Sequence, residues 1–309
     1  MGLLKRINKK ESNSSKKITE EKESKEKAKR LKIIRKEISK QRKKIKKSTL
    51  RLKIKTKSSD KSEWVKTGIT GLDELLEKGI PRGVSVLIAG GAGSGKTIAC
   101  LQIANHAAMN NEKVLYISLE ESELRLKKHM HDFGWNHEKL EKKNLLRINR
   151  IDPFKIAKSV EALLAKKKGG LKMNIEGINE LIPKNFRPDW IIIDSLTALA
   201  SAFKDEETTY RIYIEQLFRY LEKLNVTSFL ISETEQIPVR FSKSGVEEFL
   251  ADGVIVLYSI QHGDLRENAI EVLKLRGAKH QKKIVAMQIT KKGIVVYPEQ
   301  EVFKGIEKE

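Results

Sequence analysis

Residues Val84-Ser85-Val86-Leu87-Ile88-Ala89 run directly into Gly90-Gly91-Ala92-Gly93-Ser94-Gly95-Lys96-Thr97. An apolar run, the pattern G-x-x-x-x-G-K-[ST] and a helix-forming segment in immediate succession make a phosphate-binding loop in its required context, strand before and helix after. Glycines let the backbone curl so that successive N–H groups point inward at an anion. The helix beginning near Lys96 aims the positive end of its dipole at the same charge. Lys96 is expected to reach the β- and γ-phosphates of a nucleoside triphosphate, and Thr97 to ligate Mg²⁺ through its hydroxyl. The cofactor-binding set read from this stretch is Gly90, Gly91, Ala92, Gly93, Ser94, Gly95, Lys96, Thr97 and the adjoining Ile98.

The rest of the chain supplies a matching scaffold. Further apolar runs at Val114–Leu119, Trp190–Ile193, Thr227–Ile231 and Gly253–Tyr258 are short and apolar throughout. That is the signature of strands buried on both faces of a mostly parallel sheet. Helical patterns fall between them, at about Thr97–Met109, Glu123–Phe133, Pro153–Lys166 and Thr208–Leu224. After Tyr258 the chain is expected to return as strands at about Glu267–Arg276, Ile284–Thr290 and Ile294–Tyr297. Lys166 to Pro188 mixes Gly, Pro and Lys and is expected to be a surface excursion. The predicted fold is therefore α/β, a central mostly parallel sheet flanked by helices with a C-terminal β-hairpin.

Charge separates a second region. The net charge of +21 over 309 residues would point to nucleic acid or an anionic membrane surface if it were spread evenly. It is not: residues 1–60 hold 24 Lys and Arg against 7 Asp and Glu, leaving 38 basic and 34 acidic residues in the remainder. The organisation read here is a basic extension, 1–60, preceding one large domain, 61–309. Within the extension, Leu31, Ile34, Ile38 and Ile45 suggest a thin-striped basic helix, and Leu50, Leu52 and Ile54 alternate like a strand. A solvated extension, a helix binding nucleic acid or an acidic partner, and an oligomerisation strand adding to a neighbour's sheet edge all fit that pattern.

Cys100 is the single cysteine, so no intramolecular disulfide can form and nothing implies an oxidising compartment. Met1 to Arg6 is too short in apolar residues for a signal peptide, and no apolar run approaches the roughly 18–20 residues of a spanning helix. A cytoplasmic location is expected. His129, His131 and His137 lie close in sequence, but the first two fall on different sides of a helix, so no metal site is read from them.

A phosphate loop alone does not identify a reaction. Upstream stands Thr67-Gly68-Ile69-Thr70-Gly71-Leu72-Asp73-Glu74-Leu75-Leu76, followed by Gly79-Ile80-Pro81-Arg82-Gly83. This approach to the loop resembles the KaiC and RadA branch of the RecA superfamily. Tyr116-Ile117-Ser118-Leu119-Glu120-Glu121 resembles the second strand of KaiC domains, which ends in paired glutamates. Trp190-Ile191-Ile192-Ile193-Asp194 has the form of a Walker B strand, and Val246 to Gly253 resembles the segment before the fifth strand. Lys274-Leu275-Arg276-Gly277-Ala278-Lys279-His280 and Ile289-Thr290-Lys291-Lys292-Gly293-Ile294 resemble the C-terminal hairpin of that family. The resemblance covers about Trp64 to Pro298 and is closer to a single KaiC-like domain than to recombinases.

Chemistry follows residue by residue. Asp194 closes a buried strand, where a carboxylate can hold Mg²⁺ directly or through its water. Hydrolysis also needs a carboxylate to orient and deprotonate water near the γ-phosphate; the resemblance assigns this to Glu120 and Glu121 together, unranked. Lys274 and Arg276 alternate on one strand and so share a face. In the KaiC family such basic residues reach the γ-phosphate held by the adjacent subunit, with His280 a candidate for the same group. Glu233 or Thr234, just past the fourth strand, stands where RecA-type folds sense the γ-phosphate. The resemblance implies an ATP- and Mg²⁺-dependent ATPase in a homo-oligomeric ring, expected to be a hexamer. An ATP-dependent switch that does not hydrolyse, and a RadA-like DNA-binding recombinase or helicase-related ATPase, are the competing functions.

Overall fold

The computed structural model of the chain describes residues 62–166, 181–203, 207–238, 240–262 and 265–302. The helix and alternating segment expected within residues 1–60, and residues 167–180 of the expected excursion, lie outside these.

The strands are β1 (Trp64–Val65), β2 (Ile80–Pro81), β3 (Ser85–Gly90), β4 (Val114–Ser118), β5 (Leu146–Arg150), β6 (Trp190–Asp194), β7 (Thr227–Glu233), β8 (Gly253–His262), β9 (Leu265–Leu275), β10 (Val285–Thr290) and β11 (Gly293–Glu301). The helices are α1 (Leu72–Leu75), α2 (Lys96–Met109), α3 (Glu123–Asp132), α4 (His137–Lys142), α5 (Pro153–Lys166), α6 (Leu196–Ala202), α7 (Glu207–Leu224) and α8 (Glu247–Leu250). Apart from the small β1–β2 pair, the strands form one nine-stranded sheet in the order β11-β10-β9-β8-β3-β7-β6-β4-β5. From β8 to β5 every neighbouring pair is parallel, and from β8 to β11 every pair is antiparallel.

All six residues of β3 are buried, and alternate ones face opposite cores. Val86 and Ile88 join Cys100, Ile103 and Ala107 of α2 together with Tyr116. Leu87 and Ala89 join Leu199 of α6 and Tyr213 and Leu217 of α7. Each fully buried Val, Leu or Ile among them contributes about 1.5–3 kcal/mol through burial. The central strands therefore need apolar residues at every position, and that is why their sequences read as unbroken runs. Small residues Ala99, Ala104, Ala107 and Ala108 are buried on α2, letting the helix that carries the loop lie close to the sheet.

The antiparallel part is larger than a hairpin. β8 and β9 pair over their whole length, with a register irregularity between Val254 and Ile255. The turn between β10 and β11 packs back on α2: Gln102 donates to the Gly68 carbonyl (3.3 Å) and the Ile294 carbonyl (3.2 Å), and accepts from Ile294 N–H (2.7 Å). One amide thereby ties the phosphate-loop helix to the approach segment and to the C-terminal hairpin. No helix among the described residues is long and apolar enough to cross a membrane.

Candidate functional site

Parallel strands in this sheet all end on one edge, and the loops leaving β3, β4, β6 and β7 meet there. A cleft of about 320 Å³ opens at that edge, lined in part by Lys96, Thr97, Glu120, Glu121, Asp194 and Glu233.

The loop is built to receive an anion. Gly93 and Gly95 adopt φ of 77° and 94°, which side-chain-bearing residues rarely adopt, and a Cβ on Gly93 would meet nothing within 4 Å. No side chain caps α2, so its first-turn N–H groups, which have no intrahelical acceptor, are directed at the cleft. Ser94 is fully buried, and its hydroxyl has no hydrogen-bond partner. Lys96 folds back to donate to the Gly91 carbonyl at 2.9 Å. Burial pushes the Lys96 ammonium below its ordinary range, against the attraction of Glu233, Asp194 and Glu120. A buried cation beside an uncapped helix start and an orphaned hydroxyl fits a triphosphate. The cleft volume also falls within the span of small-molecule sites.

Thr97 and Asp194 form the centre that could hold a metal. Thr97 Oγ1 donates to Asp194 Oδ2 at 2.9 Å, and the fully buried Tyr116 hydroxyl donates to the same oxygen at 2.7 Å. Burial raises the Asp194 carboxyl to about 6, and Glu120 and Glu121 add to the rise while the two hydroxyl donors oppose it. A carboxylate this reluctant to carry charge alone is stabilised by a cation. A hydroxyl, a carboxylate, phosphate oxygens and water suit Mg²⁺, which keeps several waters and binds few protein groups. The residues therefore fit a Mg·nucleotide.

The paired glutamates separate. Ser195 Oγ donates to Glu120 Oε1 and accepts from Ala198 N–H at 3.2 Å. Glu121 Oε2 instead meets His129 Nε2 and Arg125 Nε, both at 3.2 Å. His129, set aside in the sequence, thus lines the cleft. Glu233 ends β7 opposite Gly90 in the ladder, and its N–H donates to Thr197 Oγ1 at 2.8 Å. Gln236 was not singled out by any motif. Its amide donates to the Ala92 carbonyl at 3.1 Å, and its Oε1 sits 2.6 Å from where a Gly91 Cβ would be.

Lys274 and Arg276 are not in this cleft. Lys274 pairs with Val254 and Leu275 with Gly253, level with Val86 at the start of β3. Gly90 is level with Leu257 and Leu87 with Val254, so Lys274 sits three residues, roughly 10 Å, along the strands from the loop, and Arg276 sits farther, toward the opposite edge of the sheet. There Lys274 Nζ donates to the Glu248 and Ala251 carbonyls (2.9 and 2.6 Å), and Arg276 donates to the Phe249 carbonyl (2.8 Å). His280 lies beyond β9, half-buried, with both ring nitrogens lacking a hydrogen-bond partner.

A family model described as "ATPase: KaiC" matches residues 65–301. The chain belongs to the KaiC ATPase family. Among its relatives, a UPF0273 protein of Thermotoga maritima is 35% identical over 241 residues, covering 76% of this chain and 96% of that protein. The circadian clock oscillator protein KaiC of a Nostoc species is 30% identical over 242 residues. That alignment covers 78% of this chain but 45% of the clock protein, so the chain spans less than half the length of such relatives. A crystal structure of KaiC-like protein PH0186 from Pyrococcus horikoshii superposes with a TM-score of 0.62 at 30% identity, over 76% of this chain and 99% of that one. The KaiC-family fold thus accounts for the described domain, while residues 1–60 precede the matched region.

Proposed function

We propose that this KaiC-family chain is a Mg²⁺-dependent ATPase that hydrolyses ATP at the subunit interfaces of a cytoplasmic homo-oligomeric ring, expected to be a hexamer. The observation that carries this reading is the convergence of Lys96, Thr97, Asp194, Glu120 and Glu121 on one cleft beside an uncapped helix start. Lys96 and the α2 N-terminus bind the β- and γ-phosphates. Mg²⁺ held by Thr97 and Asp194 would withdraw charge from the phosphate oxygens. A carboxylate of the glutamate pair orients the attacking water and takes its proton. The water oxygen bonds to the γ-phosphorus, the bond to the bridging oxygen breaks, and ADP leaves with that electron pair.

Lys274 and Arg276 support the interface part of the reading. In their own chain both are engaged away from the cleft, whereas a head-to-tail ring that set this edge against the loop edge of a neighbour would bring them to its site. Basic side chains arriving there would neutralise charge that develops in the transition state. His280 belongs to the same edge assignment. Residues 1–60 are proposed to dock nucleic acid or an acidic partner by charge.

Phosphate release from Mg·ATP by the purified full-length chain tests the function. The expected result is turnover that requires Mg²⁺ and is lost in Lys96→Ala. Tight ATP binding with no release above background would point to a non-hydrolysing switch instead.

A further inference from the structure

The two glutamates are adjacent in sequence but have unlike surroundings. Glu120 accepts a hydrogen bond from a neutral donor, the Ser195 hydroxyl, and makes no other hydrogen bond among the described residues. Ser195 is 1% exposed and N-caps α6. Because Ala198 N–H occupies one lone pair of Ser195 Oγ, the single hydroxyl proton is available to point at Glu120. Ser195 also directly follows Asp194, so the carboxylate it holds is tied to the end of β6. Of the paired glutamates, only Glu120 is among the carboxylates that act on the Lys96 ammonium. Glu121, by contrast, is drawn along α3: one of its oxygens meets both Arg125 and His129, and its backbone carbonyl accepts from Ser118 Oγ at 2.8 Å. An oxygen already engaged by both the Arg125 guanidinium and the His129 ring is poorly placed to take a proton from water.

We infer that the pair divides its work: Glu120 is the catalytic base, Ser195 is the residue that positions it, and Glu121 is an anchor fastening the loop after β4 to α3 through Arg125 and His129. This rests on the hydrolytic reading above. In the step, Glu120 accepts one proton as the water oxygen bonds to the γ-phosphorus and ADP departs. Ser195 exchanges no proton; its hydroxyl fixes one carboxylate oxygen so that the other faces the water.

The test is steady-state phosphate release by the full chain with Mg·ATP, together with affinity for a fluorescent ATP analogue as a check on folding. Glu120→Gln is expected to lower kcat by roughly a hundredfold or more, and Glu121→Gln by less than tenfold, with nucleotide affinity kept in both. Ser195→Ala is expected to lower kcat about tenfold at unchanged KM, and Ser195→Thr to restore most of it. The decisive comparison is the double variant. If Ser195 acts through Glu120, then Ser195→Ala lowers the residual rate of Glu120→Gln no further. The same loss in both backgrounds would reduce Ser195 to a helix cap and overturn its positioning role. A larger loss in Glu121→Gln than in Glu120→Gln would overturn the ranking while leaving hydrolysis intact. Absence of turnover in the unmodified protein would overturn the hydrolytic reading itself.

Discussion

Thr97 and Asp194 are 97 positions apart in the chain, yet their side-chain oxygens are 2.9 Å apart. One stands in the first turn of α2 and the other ends β6, so the contact exists only because β3 and β6 lie in one parallel sheet, separated by β7. The sheet converts two distant segments into one hydroxyl–carboxylate pair beside a phosphate loop.

Asp194 should make the metal-free protein less stable as pH rises. Its carboxyl titrates near 6 when folded, against an ordinary 3.8. Between about pH 4 and 6 the folded state therefore holds more protons than the unfolded one, and stability falls as pH rises through that window. Above it the buried charge costs on the order of 2–3 kcal/mol. Asp194→Asn should raise Tm at pH 7.5 without nucleotide, by a margin that shrinks toward pH 4. Adding Mg·ATP should stabilise the original protein more than the variant. Thermal melts across pH check both.

Gln102 should matter for stability beyond its single side chain. Truncation to Ala removes its bonds to Gly68 and Ile294 and leaves backbone groups unpaired, at a cost of about 1–3 kcal/mol. Gly293→Ala attacks the same junction. Gly293 has φ 114°, and an added Cβ would lie 2.4 Å from Gln102 Oε1. Backbone strain alone costs about 1–3 kcal/mol there. Both variants should show lower urea midpoints, and the two effects should not add.

Residues 1–60 should govern any salt-sensitive binding to nucleic acid. They hold 24 basic residues against 7 acidic ones, while the remainder is nearly balanced. Deleting them is expected to abolish binding of a labelled duplex at 50 mM salt and to leave phosphate release within about twofold. Binding that survives the deletion would assign it to the ATPase domain.

The parts of the fold that could be read from sequence share one physical property. β3, β4, β6, β7 and β8 are buried on both faces, so their apolar character is continuous and does not depend on knowing their neighbours. β5 was missed because it lies at the sheet margin, where Arg147, Asn149 and Arg150 interrupt the pattern. α6 is only seven residues long, too short for a period to establish itself. In the site, Gly90 to Thr97 was legible because its neighbours in space are its neighbours in sequence. Ser195, Gln236 and His129 were not. Each matters through one contact with a residue on another segment, and only Ser195 carried a local sign, its place immediately after Asp194.

Lys274 and Arg276 carry the claim that the site is shared between subunits, and mixing two inactive variants tests it most directly. One variant, Lys96→Ala, has a disabled phosphate loop and an intact basic edge; the other, Lys274→Ala/Arg276→Ala, has the reverse. Subunits of the two are co-incubated without nucleotide to allow exchange, and phosphate release is then measured with Mg·ATP. If sites form across interfaces, some interfaces in mixed rings combine an intact loop with an intact basic edge, and turnover should rise well above the sum of the two parents. Turnover equal to that sum, with exchange confirmed by labelled subunits, would contradict a shared site and confine hydrolysis to the residues of a single chain.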